Sequence, residues 1–515
     1  MELFEVTLLL LAIAVVLMQW ARRLRVPYPS LLALVGGCVA ALPFAPHLTI
    51  DPRLALALFI APSVMDAAYE LPPREMLRNW ISLLSLAVML VLATIVAVAF
   101  TGVALAGLPI AAAVALGAIV APPDAAAASA VLREFELPRR TMSVLQGESL
   151  LNDSVALLAF GFAVSIAVTP ERGLAPLVPR LVLAVPGGAL LGALIGPLAM
   201  RAQRRLAGTS SAIIAQFLGT FGTWILADHL GVSPILAVVG LAAVVAHKMP
   251  RQTSARDRMN SNTVWVTATF VLNVLAFLLM GLQARLILTR LPPDALSRAL
   301  TFAAIVLGVV VVVRFAWVMA YGVVLRRFRR AIQKRSIGIV IPKVRIGILV
   351  SWCGMRGLVT LATALSLPLE FPQRDLIVLS AFIVVLGTLV LQGCTIRPLI
   401  AWLDIDKDPS LDLDVAATRN AMLEAALGAL ANEAGPEAEE VRNEIEAARL
   451  GSVGRARPAT RHDELRGCAL AAERDVLNDR RDSGLIADDV YHHLEDELDR
   501  AEMDIGSTAT SWLQD

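Results

Sequence analysis

The sequence predicts an all-α polytopic membrane protein with about 13 transmembrane helices, inverted repeats containing two broken helices that cross, and a helical cytoplasmic tail. Three observations carry that prediction. Hydrophobic residues make up 57% of the 515 positions and charged residues only 17%, and the mean hydropathy of +0.69 lies far outside the balance of a soluble domain. The charges gather in short loops and in roughly the last hundred residues. Two of the long apolar stretches carry Pro or Gly at mid-membrane depth. The net charge of +1 gives no basic surface for nucleic acid. Cys38, Cys353, Cys394 and Cys468 have neither CxxC nor metal-ligand spacing, and three of them sit in apolar segments as packing residues.

Taken in order, apolar stretches long enough to span begin near residues 3, 28, 54, 80, 108, 143, 178, 211, 233, 262, 298, 343 and 375, and the last ends near Trp402. Each holds about 20 predominantly apolar residues, the length a bilayer asks of a helix; those near 54 and 233 are the shortest. The first, "LFEVTLLLLAIAVVLMQW", has acids before it and "ARRLR" after it, the reverse of a signal peptide, so it stays in the protein with its N-terminus outside. Threading the chain from there gathers Arg22, Arg23, Arg25, Arg74, Arg78, Arg139, Arg140, Arg204, Arg205, Lys248, Arg251 and "LRRFRRAIQKR" on one side. That asymmetry places those loops in the cytoplasm of a cell (inner) membrane protein, and an odd number of spans leaves the C-terminus there too. After Leu403 the composition turns acidic with helical apolar spacing. The expected division is a transmembrane domain at 1–404 and a cytoplasmic helical tail at 405–515.

Ionisable residues inside a span cost about 2.5 to 3.5 kcal/mol each and are functional candidates by default. Here they are Asp66, Asp124, Glu148, Asp153, Arg314 and Arg356. The acids outnumber the arginines, so one or two buried ion pairs still leave carboxylates over. In "LQGESLLNDSVALLAFGFAVSIAV", Glu148 and Asn152 are four apart, as are Ser149 and Asp153, so each pair shares a helix face and the two faces adjoin. One face can therefore pair with an arginine while the other offers Ser149 and Asp153 to a cavity. Asn152 fits between them as an organiser.

The broken spans are "GAIVAPPDAAAASAVLRE" and "ILVSWCGMRGLVTLATALSLP". Pro122 and Pro123 precede Asp124 and cannot donate to a helical ladder, while Gly354 and Gly357 flank Arg356. Irregular backbone at that depth is tolerated only where protein buries it or a water-filled cavity meets it. Two such spans, seven apart, match an inverted-repeat transporter in which freed carbonyls ligate a cation and half-helix ends supply dipoles.

Together "GESLLNDSVAL", "VAPPDAAAASAVLRE", "WCGMRGLVTLATALSLP", "FVLNVLAFLLMGLQ" and "IAPSVMDAAYE" resemble the monovalent cation:proton antiporters of the branch that holds the bacterial NhaP type and the animal sodium/proton exchangers. "SGLIADDVYHHLEDELD" resembles the tail of the bacterial members. The resemblance implies a homodimer in the lipid bilayer whose ion-carrying core moves against a dimerisation domain. It implies that Asp153 takes either Na+ or a proton, helped by Asp124, Ser149, Asp66 and the main-chain carbonyl of Pro123. It also implies a structural pair of Glu148 with Arg356, bridged by Asn152, and electroneutral exchange from the Asn-Asp pair. Two departures stand out: Pro123-Asp124-Ala125 where many relatives have Thr-Asp-Pro, and Asp66 where many have Glu.

The function expected is a secondary active transporter, not an enzyme, exchanging a monovalent cation, Na+ first and K+ or Li+ as alternatives, for H+ by alternating access. No cofactor is called for. A proton and a hard cation would compete for the same carboxylate oxygens, and that competition couples their movements. A cation channel would need no titrating acid. A hydrolase would need a nucleophile, histidine or metal constellation that does not accompany these acids, and no Walker loop suggests a pump. A membrane sensor acting through the tail is the remaining alternative.

Overall fold

The computed structural model describes residues 2–24, 28–40, 51–70, 79–124, 132, 137–168, 177–252, 255–288, 293–327, 344–405, 473 and parts of 421–446. The chain divides into two compact units, Met1–Lys407 and Asp408–Asp515. Among the described residues every regular element is a helix. Of the second unit the described part includes a helical stretch at 423–429, with Arg442 donating to the carbonyl of Leu430 just beyond it at 3.0 Å.

In the first unit the helices are α1 Glu2–Leu24, α2 Tyr28–Ala40, α3 Pro52–Ala55, α4 Ala61–Glu70, α5 Trp80–Leu84, α6 Leu90–Ala106, α7 Ile110–Val120 and α8 Arg139–Val168. They continue with α9 Leu177–Arg205, α10 Ser210–Leu230, α11 Pro234–Gln252, α12 Ala255–Leu288, α13 Pro293–Arg327, α14 Val344–Trp352, α15 Leu358–Leu365 and α16 Arg374–Leu403. Single π-helical turns at Leu56–Ile60 and Ser85–Met89 join α3 to α4 and α5 to α6. Seven stretches of the described helices are long and apolar enough to cross a membrane, and shorter apolar helices accompany them. Large apolar side chains such as Val96, Phe100, Ile110, Leu194 and Leu218 lie exposed, as a bilayer-facing surface requires.

Without a hydrophobic drive between helices in lipid, close packing depends on small residues. The α9–α11 contact shows it. A Cβ on Gly188 would come within 2.5 Å of the Ser233 carbonyl, and one on Gly240 within 2.5 Å of the Ala189 carbonyl. Gly117 of α7 approaches α6 in the same way, where an added Cβ would lie 2.7 Å from the Ile95 carbonyl. Gly107 and Gly231 end α6 and α10 with φ of 61° and 68°, the left-handed cap that glycine adopts without steric cost. The main core cluster joins α7, α8, α13, α14 and α16, and a second one joins α4, α9, α10, α11 and Leu150 of α8.

Both expected interruptions are present. The first span stops as a helix at Val120, and residues 121–124 run non-helically through the two prolines; residues 125–131, where the span was expected to resume, lie outside the described residues. The second breaks cleanly at residues 353–357 between α14 and α15. The breaks touch: the amide of Asp124 donates to the carbonyl of Met355 at 2.6 Å.

Candidate functional site

The site is assembled where α8 passes the two breaks. Glu148 is 1% exposed, Asn152 0% and Asp153 8%, so α8 sinks both carboxylates and the amide into the bundle. Glu148 is neutralised by Arg314 of α13. The guanidinium is bidentate, with Nη1 on Oε1 and Nη2 on Oε2, the latter at 3.0 Å, and Nη2 also donates to the Val350 carbonyl at 3.1 Å. Gly354 makes room for this, because a Cβ there would overlap the Arg314 side chain.

This corrects the expected pairing of Glu148 with Arg356. Arg356 is equally buried, but it sits inside the second break, where the nearest acceptors are carbonyls that have lost their helical donors. Its Nε donates to Val120 O at 3.1 Å, its Nη2 to Ala121 O at 3.3 Å and its Nη1 to Gly354 O, while its own amide donates to Thr388 Oγ1 at 3.0 Å. A fixed cation at the carbonyl end of α7 satisfies orphan acceptors and the negative pole of the helix together. The freed carbonyls of Val120, Ala121 and Gly354 are thereby taken by an arginine and not left for an ion.

Asn152 does not bridge an arginine to Glu148 either. Its Nδ2 donates to the Pro123 carbonyl at 3.4 Å, and its Oδ1 has no hydrogen-bond partner among the described residues. That bond ties α8 to the first break one residue before Asp124. Asp124 lies within electrostatic reach of Asp153, and Gly357 backs its carboxylate so closely that a Cβ would overlap it. Ser149, a helical turn before Asp153 on α8, is half-buried. Asp66 lines a cavity walled by α4, α9, α10, α11 and α12 whose lining includes none of Asp124, Ser149 and Asp153.

Two contributors were not assigned from the sequence. Arg314 was visible as a buried charge, but nothing in the sequence aims it at Glu148. Thr388, 0% exposed, completes the break by accepting the Arg356 amide, and its signal was a hydroxyl inside the apolar run of α16, four residues before the equally buried Gln392.

A buried Asp153 beside a Glu148 already paired with arginine, at the junction of two interrupted helices in an apolar bundle, marks a polytopic membrane protein built to handle a small cation or a proton. Residues 8–402 match the family described as sodium/hydrogen exchanger, transmembrane, and the chain belongs to that family. It is 34% identical over 434 residues to an uncharacterised Na+/H+ exchanger of Mycobacterium tuberculosis, covering 82% of this chain and 78% of the relative. It is 32% identical over 406 residues to a sodium, potassium, lithium and rubidium/H+ antiporter of Bacillus pumilus, covering 76% and 60%. The fold is similar to that of the sodium proton antiporter MjNhaP1 from Methanocaldococcus jannaschii, with a TM-score of 0.59 at 16% identity over 76% of this chain and all of that one.

Proposed function

We propose that this protein is a secondary active transporter that exchanges Na+ for H+ by alternating access, with Asp153 as the carboxylate that carries one or the other. The observation that carries the reading is the charge inventory at the break. Arg314 answers Glu148 and Arg356 answers helix carbonyls, so neither guanidinium is spent on the buried Asp153 carboxylate, and a cation or a proton is the counter-charge it takes. Around Asp153, the hydroxyl of Ser149, the carboxylate of Asp124 and the Pro123 carbonyl supply the oxygen ligands a hard cation takes. Asn152 holds that carbonyl in place.

The family supports antiport, and 13 spans in inverted repeats, with the N-terminus outside and the C-terminus cytoplasmic, give the topology that the loop charges favour. Dimerisation and a core moving against a dimer domain complete the proposal. One carboxylate alternating between one proton and one monovalent cation makes the cycle electroneutral. A K+-coupled reading is favoured by one specific finding, the likeness to the relative named for sodium, potassium, lithium and rubidium.

The test is proton movement in sealed vesicles containing the purified protein, followed with a pH dye on addition of Na+, K+, Li+ or Rb+. Antiport appears as cation-driven alkalinisation of acid-loaded vesicles. Cation uptake with no proton counterflow would replace the reading with a channel.

A further inference from the structure

The second break is fixed to α16 at both of its ends. Trp352 Nε1 donates to Thr395 Oγ1 at 2.9 Å, and the Arg356 amide donates to Thr388 Oγ1 at 3.0 Å. Gln392 stands between those two threonines, four residues after one and three before the other, so all three share one face of α16. The pairing of Trp352 with Thr395 and of Arg356 with Thr388 sets that face against Cys353, Gly354 and Met355. Gln392 is 0% exposed, and neither its Nε2 nor its Oε1 has a hydrogen-bond partner among the described residues.

The backbone opposite offers acceptors. A helix leaves its last four carbonyls without helical donors. At the end of α14 the Leu349 carbonyl takes the Cys353 amide at 2.9 Å and the Val350 carbonyl takes Arg314 Nη2 at 3.1 Å; those of Ser351 and Trp352 come next, where the helix opens into the break. A carboxamide that gives and receives hydrogen bonds, facing carbonyls that only receive them, calls for a small ligand that does both. Water does. A cation does not suit, because Arg314 and Arg356 already hold their guanidinium groups on the Val350 and Gly354 carbonyls, and both keep their charge at every working pH. We propose that Gln392 binds water against the second break, in a buried site between α16 and the carbonyl end of α14. A bridging water bonds nearly as well as a direct contact, so the middle of the break is held by an exchangeable partner while its ends are held by side chains. Such a site is independent of which ion the protein carries.

Cys353 and Met355 report on the site, because they are 3% and 0% exposed and sulfur is readily oxidised. Brief X-ray irradiation of the full-length protein in detergent makes hydroxyl radicals from water wherever it lies, and mass spectrometry reads the oxidation at each sulfur. In the wild type both sulfurs are oxidised despite their burial. Gln392→Leu loses that oxidation at both, while Gln392→Asn, which keeps a donor and an acceptor, retains it. The melting temperature of Gln392→Leu falls, whereas replacing a dry, unpaired amide by an apolar side chain would raise it. Unoxidised sulfurs in the wild type, unchanged oxidation in Gln392→Leu, its loss in Gln392→Asn, or a higher melting temperature for Gln392→Leu would each overturn the water site. Should Gln392→Leu fail to fold, the wild type and Gln392→Asn still decide.

Discussion

Glu148 on α8 and Arg314 on α13 form a bidentate ion pair in which each residue is 1% exposed. Removing one partner leaves the other charge buried and alone, which costs about 3 to 5 kcal/mol in soluble proteins. Thermal melting in detergent is therefore expected to fall sharply for Glu148→Ala and for Arg314→Ala, and the double variant to melt well above the sum of the two losses. Glu148→Ala with Arg356→Ala should lose close to the sum. If that second pair showed the strong coupling and the first did not, the assignment of partners would be wrong.

Arg356 contributes by gathering three carbonyls from two breaks and through its amide to Thr388. Lysine keeps the charge but lacks the fork that reaches several acceptors at once. Arg356→Lys should lose part of the stability that Arg356→Ala loses, leaving orphan carbonyls at about 1 to 3 kcal/mol each. Equal melting of the lysine variant and the wild type would show that charge alone suffices.

Asp153→Asn keeps the polar volume of a buried position and removes the titrating charge. It should yield a folded, membrane-inserted protein with no cation-driven proton movement. In the wild type the apparent KM for Na+ should rise as pH falls, because the two ions compete for the same oxygens, while the maximal rate at saturating Na+ changes less. A pH effect confined to the maximal rate would place the competing proton on another group.

Gly357 sits against the Asp124 carboxylate with no room for a methyl group. Gly357→Ala must displace that carboxylate, and a displacement of this kind can cost on the order of a hundredfold in kcat/KM. Gly161→Ala is the control, since nothing lies within 4 Å of a Cβ there, and its activity should match the wild type. Equal activity of both variants would show that the position of Asp124 is unimportant.

If Asp153 exchanges one proton for one monovalent cation, no net charge crosses in a cycle. A membrane potential, worth about 2.3 kcal/mol per elementary charge per 100 mV, should then leave unchanged the pH gradient at which flux vanishes against a fixed Na+ gradient. Clamping the potential with valinomycin and K+ tests this directly. A reversal point that moves with voltage would mean that Asp124 also changes protonation during transport.

The sequence by itself determined the properties that depend on local chemistry. Apolar stretches of helical length, loop basicity, the four-residue spacing of Glu148 with Asn152 and of Ser149 with Asp153, and helix breakers at Pro122, Pro123, Gly354 and Gly357 all act within a few residues of their position. A helix carries its own hydrogen bonds, so its existence and its interruptions are written along the chain. What only the tertiary structure decided were choices between distant partners. Arg314 and Arg356 look alike in sequence, each a lone charge in an apolar run. One faces α8 across a helix packing and takes Glu148; the other is surrounded by carbonyls freed by the breaks and takes those. Asp66 is likewise an intramembrane acid like Asp124 by composition, yet the packing of α4 against α11 and α12 sets it in the lining of a cavity that also takes Arg258 from a span end more than 190 positions away. Charge pairing falls off with distance in space and not in sequence, so no spacing along the chain could have settled either choice.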